Sequence, residues 1–238
     1  MAYPKATQIT AWSFSRYSTY KKCPAKAKYL YLDKLKEPSS PALERGAAIH
    51  DLAEKYIKGQ IRALPPELKE FKDDFTALRK QYKKAINGMV VEDQWAFTSS
   101  WDQTAWNDWA KCWVRIKVDC AHHQDQETLW VKDWKTGKFR AEMNEEYMEQ
   151  LSLYALTALL LHPHINKVRV ELVYLDQGVV YPEADKPLVY DRAELPGLKK
   201  MWEKRVAPML KDKKFAPRAN DGCRWCHFSK AKAGPCKF

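Results

Sequence analysis

The chain has 238 residues, 45% of them hydrophobic and 30% charged, the balance of a folded protein sized for one large domain or a core with a small appendage. No apolar run approaches the ~20 residues that cross a bilayer, and the opening residues carry no apolar stretch of secretory type, so a membrane-spanning protein is not expected and a cytoplasmic location is. Lys and Arg number 41 against 30 Asp and Glu, a net charge of +11 that favours an extended polyanion as partner, because each neutralised phosphate releases a condensed counterion.

Ser13 or Ser15 can cap a first helical region over about 13–35, interrupted or restarted at Pro24. A loop at 38–41 precedes a helix from Ala42 to Lys58, with Ala47, His50, Glu54 and Ile57 at three-to-four spacing on one face. Pro65 and Pro66 break the chain before an amphipathic helix over Glu67 to Ile86, ending near Asn87 and Gly88. The period then becomes two. Trp113 to Asp119 reads as a half-buried strand, and Leu129 to Lys135 as a second that closes at Thr136 and Gly137. Asn144 to Leu161 is a helix stopped by His162 and Pro163. Val168 to Leu175 is a third strand, turning at Asp176 to Gly178 and pairing with Val179 onward. Arg192 to Lys211 is a last helix before a cysteine-rich tail. The sum is an α/β fold with a central mixed β-sheet flanked by helices. The 10 tryptophans could stack on unpaired bases, and Trp95, Trp101, Trp106, Trp109 and Trp113 could line a channel, but core packing is the expectation for most.

Asp119 ends one strand and Asp133 lies near the end of the next. A two-residue period puts Asp133 and Lys135 on the same strand face as the apolar Leu129 and Val131, where a charge is costly without a partner. A salt bridge between Asp133 and Lys135 would meet that need. So would a hard divalent cation held by both aspartates, with Lys135 beside it to orient or deprotonate a water. His50 is either a satisfied core histidine or a third ligand, and the resulting N,O,O set suits Mn2+ as well as Mg2+. Gln150 and Tyr154 form an i, i+4 pair on the following helix. Glu54, one turn beyond His50, is either a salt-bridged glutamate or a contact to a second ion.

These segments, taken in order, resemble a known family. Arg45-Gly46 through His50 to Glu54, then Val118-Asp119, then Asp133-Trp134-Lys135-Thr136-Gly137, then Gln150 to Tyr154 resemble the motifs of the PD-(D/E)XK nucleases. The pattern G-x-x-x-H, D, D-x-K-T, Q-x-x-x-Y is similar to that of the RecB-like branch, as is the opening from Trp12 to Cys23-Pro24. The resemblance implies a restriction-endonuclease-like core and cleavage of DNA phosphodiesters. It implies that His50, Asp119, Asp133 and the backbone carbonyl of Trp134 hold Mg2+ or Mn2+, and that Lys135 is the catalytic lysine. Gln150 and Tyr154 would contact DNA or support the site.

Six cysteines in a cytosolic chain argue against a disulfide framework. Cys112 and Cys120 read as small buried residues. Cys23, Cys223, Cys226 and Cys236 remain, and the C-x2-C spacing can hold one zinc ion or a 4Fe–4S cluster. One cysteine before the core and three at the C-terminus resemble the iron–sulfur subset of the family, the CRISPR-associated RecB-like and AddB-type nucleases, where a structural cluster staples the two chain ends. The interval from Cys226 to Cys236 is longer than usual in that subset, so His227 stays open as a zinc ligand in place of Cys236. The expected organisation is a single nuclease domain over 1–238, with a catalytic core of about 42–190 and the segments 13–35 and 191–238 joined by the cysteine cluster.

The expected function is a metal-dependent deoxyribonuclease, an exonuclease on DNA ends or single strands, acting in recombination, repair or phage DNA processing. No P-loop motif is present, so any unwinding would come from a helicase or recombinase in trans. A non-catalytic DNA-binding module or a metal-stapled adaptor of the same fold are the alternatives; the presence of Asp119, Asp133 and Lys135 together favours the enzyme. Oligomeric state has no signature in the sequence.

Overall fold

The computed structural model describes residues 7–84 and 89–238. Its helices are α1 (Phe14–Lys22), α2 (Pro24–Tyr31), α3 (Pro41–Ile57), α4 (Lys72–Lys83), α5 (Asn144–Leu161) and α6 (Leu195–Lys211). Its strands are β1 (Val90–Phe97), β2 (Val114–His123), β3 (Thr128–Lys135), β4 (Lys167–Tyr174), β5 (Val179–Tyr181) and β6 (Leu188–Asp191). None of the described helices is long and apolar enough to cross a membrane. The chain forms two compact units, one of Ser39–Ala96 with Ile116–Lys199, the other of Met1–Pro38, Phe97–Arg115 and Lys200–Phe238.

The first unit is built on a mixed six-stranded sheet in the order β1-β2-β3-β4-β5, with β6 also paired to β4. β2 and β3 are antiparallel, and β3 and β4 run parallel. Two parallel neighbours need a crossover, which α5 supplies. β5 and β6 divide the far edge of β4, the first opposite Leu172–Tyr174 and the second opposite Lys167–Val170.

Both faces of β3 are covered, so neither face alternates towards water. Leu129, Val131 and Asp133 point to the side of α5, a helix buried along most of its length. On the opposite face Trp134 joins Cys120 in a core with Ile49, Ala53 and Ile57 of α3 and Phe75 and Leu78 of α4. Lys132 shares that face and is only 3% exposed. Its ammonium lies 2.8 Å from the equally buried Glu171 and 3.2 Å from Asp74, which closes the charge balance of two strands and α4. α3 begins where Ser40 accepts the Leu43 N–H and Pro41 takes the first helical position. Its buried face is Ile49, Ala53, Tyr56 and Ile57, so the expected grouping of Ile57 with His50 and Glu54 is corrected by one helical step: those two face a cleft instead.

In the second unit Pro24 splits the expected 13–35 helix into α1 and α2, with Cys23 between them. Trp12 packs against Trp113 and Trp202 with ring centroids 5.4 Å apart, and Trp101 against Trp113 at 5.1 Å. The Trp101 indole N–H donates to Glu203 at 2.8 Å. Trp12, Trp101 and Trp202 are therefore core, whereas Trp109 is 74% exposed over the Arg115 guanidinium.

Three expectations about elements change. The strand starting near Trp113 runs on to His123 rather than stopping at Asp119, strands β1 and β6 join the sheet, and the helix expected from Glu67 opens as a 3-10 turn over Pro66–Phe71 before α4. Its expected end at Ile86 to Gly88 lies outside the described residues.

Phe75 packs on Trp134 with centroids 5.4 Å apart and is fully buried. Phe75→Ala is expected to cost about 3–5 kcal/mol of stability, read from the urea unfolding midpoint.

Candidate active site

The sheet register brings the two predicted aspartates together. The antiparallel register ends at Cys120 opposite Lys132, one residue from each aspartate, and Asp133 lies close enough to act on the Asp119 carboxyl. Asp119 Oδ2 accepts the Trp134 N–H at 2.6 Å. His50 enters from α3: its Nε2 lies 3.0 Å from the Trp134 carbonyl oxygen, and its Nδ1 is 3.0 Å from Glu92 and 3.4 Å from Asp119. One ligand atom each of His50, Glu92 and Asp119 falls within 4.8 Å of the others.

Asp133 stands beside this trio rather than within it. Its Oδ1 accepts from the Tyr154 hydroxyl and, at 3.3 Å, from the Gln150 amide. Its Oδ2 is 2.5 Å from the Lys135 ammonium but receives no well-directed hydrogen bond among the described residues, which leaves lone pairs for a cation. Gln150 Oε1 accepts from Lys135 at 3.2 Å, so one amide spans the lysine and the aspartate. All these groups except Gln150 line a cleft of about 650 Å³. Glu54 lines it too, ion-paired to Lys58 at 2.5 Å. Gly46 lets α3 come close to the turn after β3, since a Cβ there would sit 3.0 Å from the Thr136 hydroxyl.

Crowded carboxylates set the electrostatics. Burial and the neighbouring Asp133 push the Asp119 carboxyl above its ordinary range. Burial alone would lower His50, but hydrogen bonds to Asp119 and Glu92 outweigh it and carry the imidazole up to about 10. Lys135 is likewise pulled down by burial and raised on balance by Asp133 and Asp119. Burial and Asp133 hold the Tyr154 phenol well above its usual value, so it stays a donor. The cleft thus contains a dense anionic centre whose own side chains supply the counter-charge, an environment in which oxygen ligands and one imidazole suit Mg2+ or Mn2+.

In the other unit, Cys23, Cys223, Cys226 and Cys236 line one cavity of about 140 Å³. His227 is not among the residues that line it. Cys226 N–H bonds the Cys223 carbonyl at 3.1 Å, and Cys236 N–H bonds the Phe228 carbonyl at 2.9 Å. The tail reaches this place because Gly234 lies against Phe228, where a Cβ would meet backbone carbon at 2.3 Å. All six cysteines are free thiols, Cys112 and Cys120 being buried.

The sequence profile of the PD-(D/E)XK nuclease superfamily matches residues 11–231. The chain belongs to this superfamily. No curated protein matches it. Among solved structures, it is similar to a protein of Eubacterium rectale described as "Putative exonuclease", at 11% identity and a TM-score of 0.49, covering 96% of this chain and 89% of that one. It is also similar to SSO0001, at 14% identity and a TM-score of 0.40, covering 97% and 88%.

For this PD-(D/E)XK nuclease chain, the residue that sequence reasoning missed is Glu92. It lies on β1, a strand not foreseen, and carries a left-handed backbone with φ of 52°. Such a conformation costs a non-glycine residue energy and is typical of functional positions. The available signal was the acidic pair Glu92-Asp93 inside an apolar run, Val90 to Phe97.

The raised His50 value gives a pH prediction for metal-free protein. A histidine raised from 6.5 to about 10 adds stability that is complete below about 6.5 and disappears as pH climbs through 10. The chelator-treated protein should therefore lose thermal stability between those limits, and His50→Gln should flatten the profile; both are read by melting scans across pH.

Proposed function

We propose that the chain is a divalent-metal-dependent deoxyribonuclease that hydrolyses phosphodiester bonds at DNA ends or in single strands. The observation that carries this reading is the convergence of His50, Glu92, Asp119, Asp133 and Lys135 on one cleft of a nuclease fold. The net charge of +11 suits a polyanionic substrate. Leu43, 69% exposed on the rim of the same cleft, offers an apolar edge to an unstacked base.

His50, Asp119, Asp133 and the Trp134 carbonyl, joined by Glu92, would hold Mg2+ or Mn2+. When bound, that ion supplies Lewis-acid polarisation of the phosphate and a water acidic enough to attack near neutral pH. Lys135 orients that water or steadies charge on a phosphate oxygen. Gln150 and Tyr154 fix the lysine and Asp133 relative to each other, so the ammonium cannot swing away from the reacting group.

The four thiols are proposed to hold a 4Fe–4S cluster that fastens the chain ends. A single zinc with Zn–S bonds of about 2.3 Å needs sulfurs about 3.8 Å apart. All four thiols line one cavity of about 140 Å³, as the ligands of one shared metal group would. The nuclease would act alone on an exposed DNA end or on one presented by a helicase or recombinase in trans.

On linear DNA labelled at either terminus, wild-type protein with Mg2+ or Mn2+ should release label. Asp133→Ala and Lys135→Ala should be slower by at least about 100-fold; equal rates in wild type and variants would remove this cleft as the active site. Anaerobically purified protein should be brown with broad visible absorption, and Cys23→Ser should lose both the colour and much of the thermal stability. A colourless protein with stoichiometric zinc would replace the cluster by zinc and leave the nuclease assignment standing.

A further inference from the structure

A second group of potential ligands occupies the same unit as the cleft but stands away from it. His123 closes β2, four residues past Asp119, or about 13 Å along a strand. His162 caps α5 eight residues past Tyr154, about 12 Å along a helix. His164 follows in the connection to β4. One ring nitrogen from each lies within 4.8 Å of the others. The His123 and His164 rings are stacked with centroids 5.6 Å apart, and His162 stands edge-on to both at 6.0 Å.

The fold holds these rings together. Because β3 and β4 are parallel, the start of β4 lies beside the β2–β3 turn. Asn166 and Lys167 N–H groups both donate to the Glu127 carbonyl, at 2.8 and 3.0 Å. The Arg192 guanidinium donates to the carbonyls of Leu159, His162 and Ile165 at 3.1, 2.6 and 2.6 Å, which pins the loop carrying His162 and His164. The three imidazoles make no hydrogen bond through a ring nitrogen to any described residue, so packing alone leaves their lone pairs unused.

We propose that His123, His162 and His164 form a transition-metal site of three imidazoles, which takes Zn2+ or an ion of that class and fastens the β2–β3 turn to the α5–β4 connection. Three nitrogen donors without a carboxylate favour such ions over Mg2+ and Mn2+. Zn–N bonds of about 2.0–2.1 Å need nitrogens about 3.3 Å apart, a closure that rotation of the exposed His164 ring supplies. That exposure also leaves a fourth position to water.

The test reads metal rather than catalysis, so failure of the nuclease reading would leave it intact. Chelator-stripped wild type, His164→Ala and His123→Ala/His164→Ala, each shown to be folded by circular dichroism, are titrated with Zn2+ alone. Wild type should bind one more Zn2+ per chain than the double variant, and His164→Ala should weaken that ion by more than about tenfold, since even outer-shell partners contribute that much. With Cu2+ as probe, the wild-type paramagnetic spectrum should show splitting by several nitrogens that the double variant lacks. Equal zinc stoichiometry and identical Cu2+ spectra in all three proteins would overturn the site.

Discussion

Mutual repulsion among desolvated carboxylates is the constraint to which the rest of this site responds. Asp119 and Asp133 lie near each other on adjacent strands, and Glu92 approaches the first through His50. Two charges 4 Å apart interact by about 1 kcal/mol in bulk water but about 4 kcal/mol at an effective dielectric of 20, so the arrangement persists only with compensation. The molecule provides it in layers: an imidazole between two acids, an ammonium against the third, a phenol, an amide and a backbone N–H. Each acid of the cleft thus has a positively charged or hydrogen-bond-donating neighbour from the chain itself.

Much of this was legible from periodicity. β3 announces itself by a short apolar run closed at Thr136 and Gly137, and the two-residue period of a strand is why Asp133 and Lys135 could be assigned to one face with Leu129 and Val131; α5 is marked by its long apolar run between Asn144 and His162. β1 was not legible because Glu92, Asp93 and Gln94 interrupt its pattern. The role of Glu92 follows from the position of β1 next to β2, a fact of sheet order that no local window contains. β6, with four residues, is too short to give a period. The histidine trio is invisible for the same reason as Glu92: His123 and His164 are far apart in the chain and meet only because the crossover through α5 runs back to the β2–β3 turn.

Ligand chemistry differs sharply among the three clusters. Carboxylates and a carbonyl dominate the cleft, imidazoles the far end of the same unit, and thiols the tail of the other. Hardness alone would sort cations among them, with Mg2+ and Mn2+ drawn to oxygen and softer or borderline ions to nitrogen and sulfur.

Lys132 and Glu171 carry a consequence for folding accuracy. They are partners in the β3–β4 ladder and nearly inaccessible to water, so their attraction operates only in one alignment of the two strands. Sliding β4 by a single residue would leave an ammonium and a carboxylate stranded among apolar side chains and turn the wrong residues of that strand toward α5. A buried ion pair of this kind adds little net stability, yet it penalises every other alignment of the two strands.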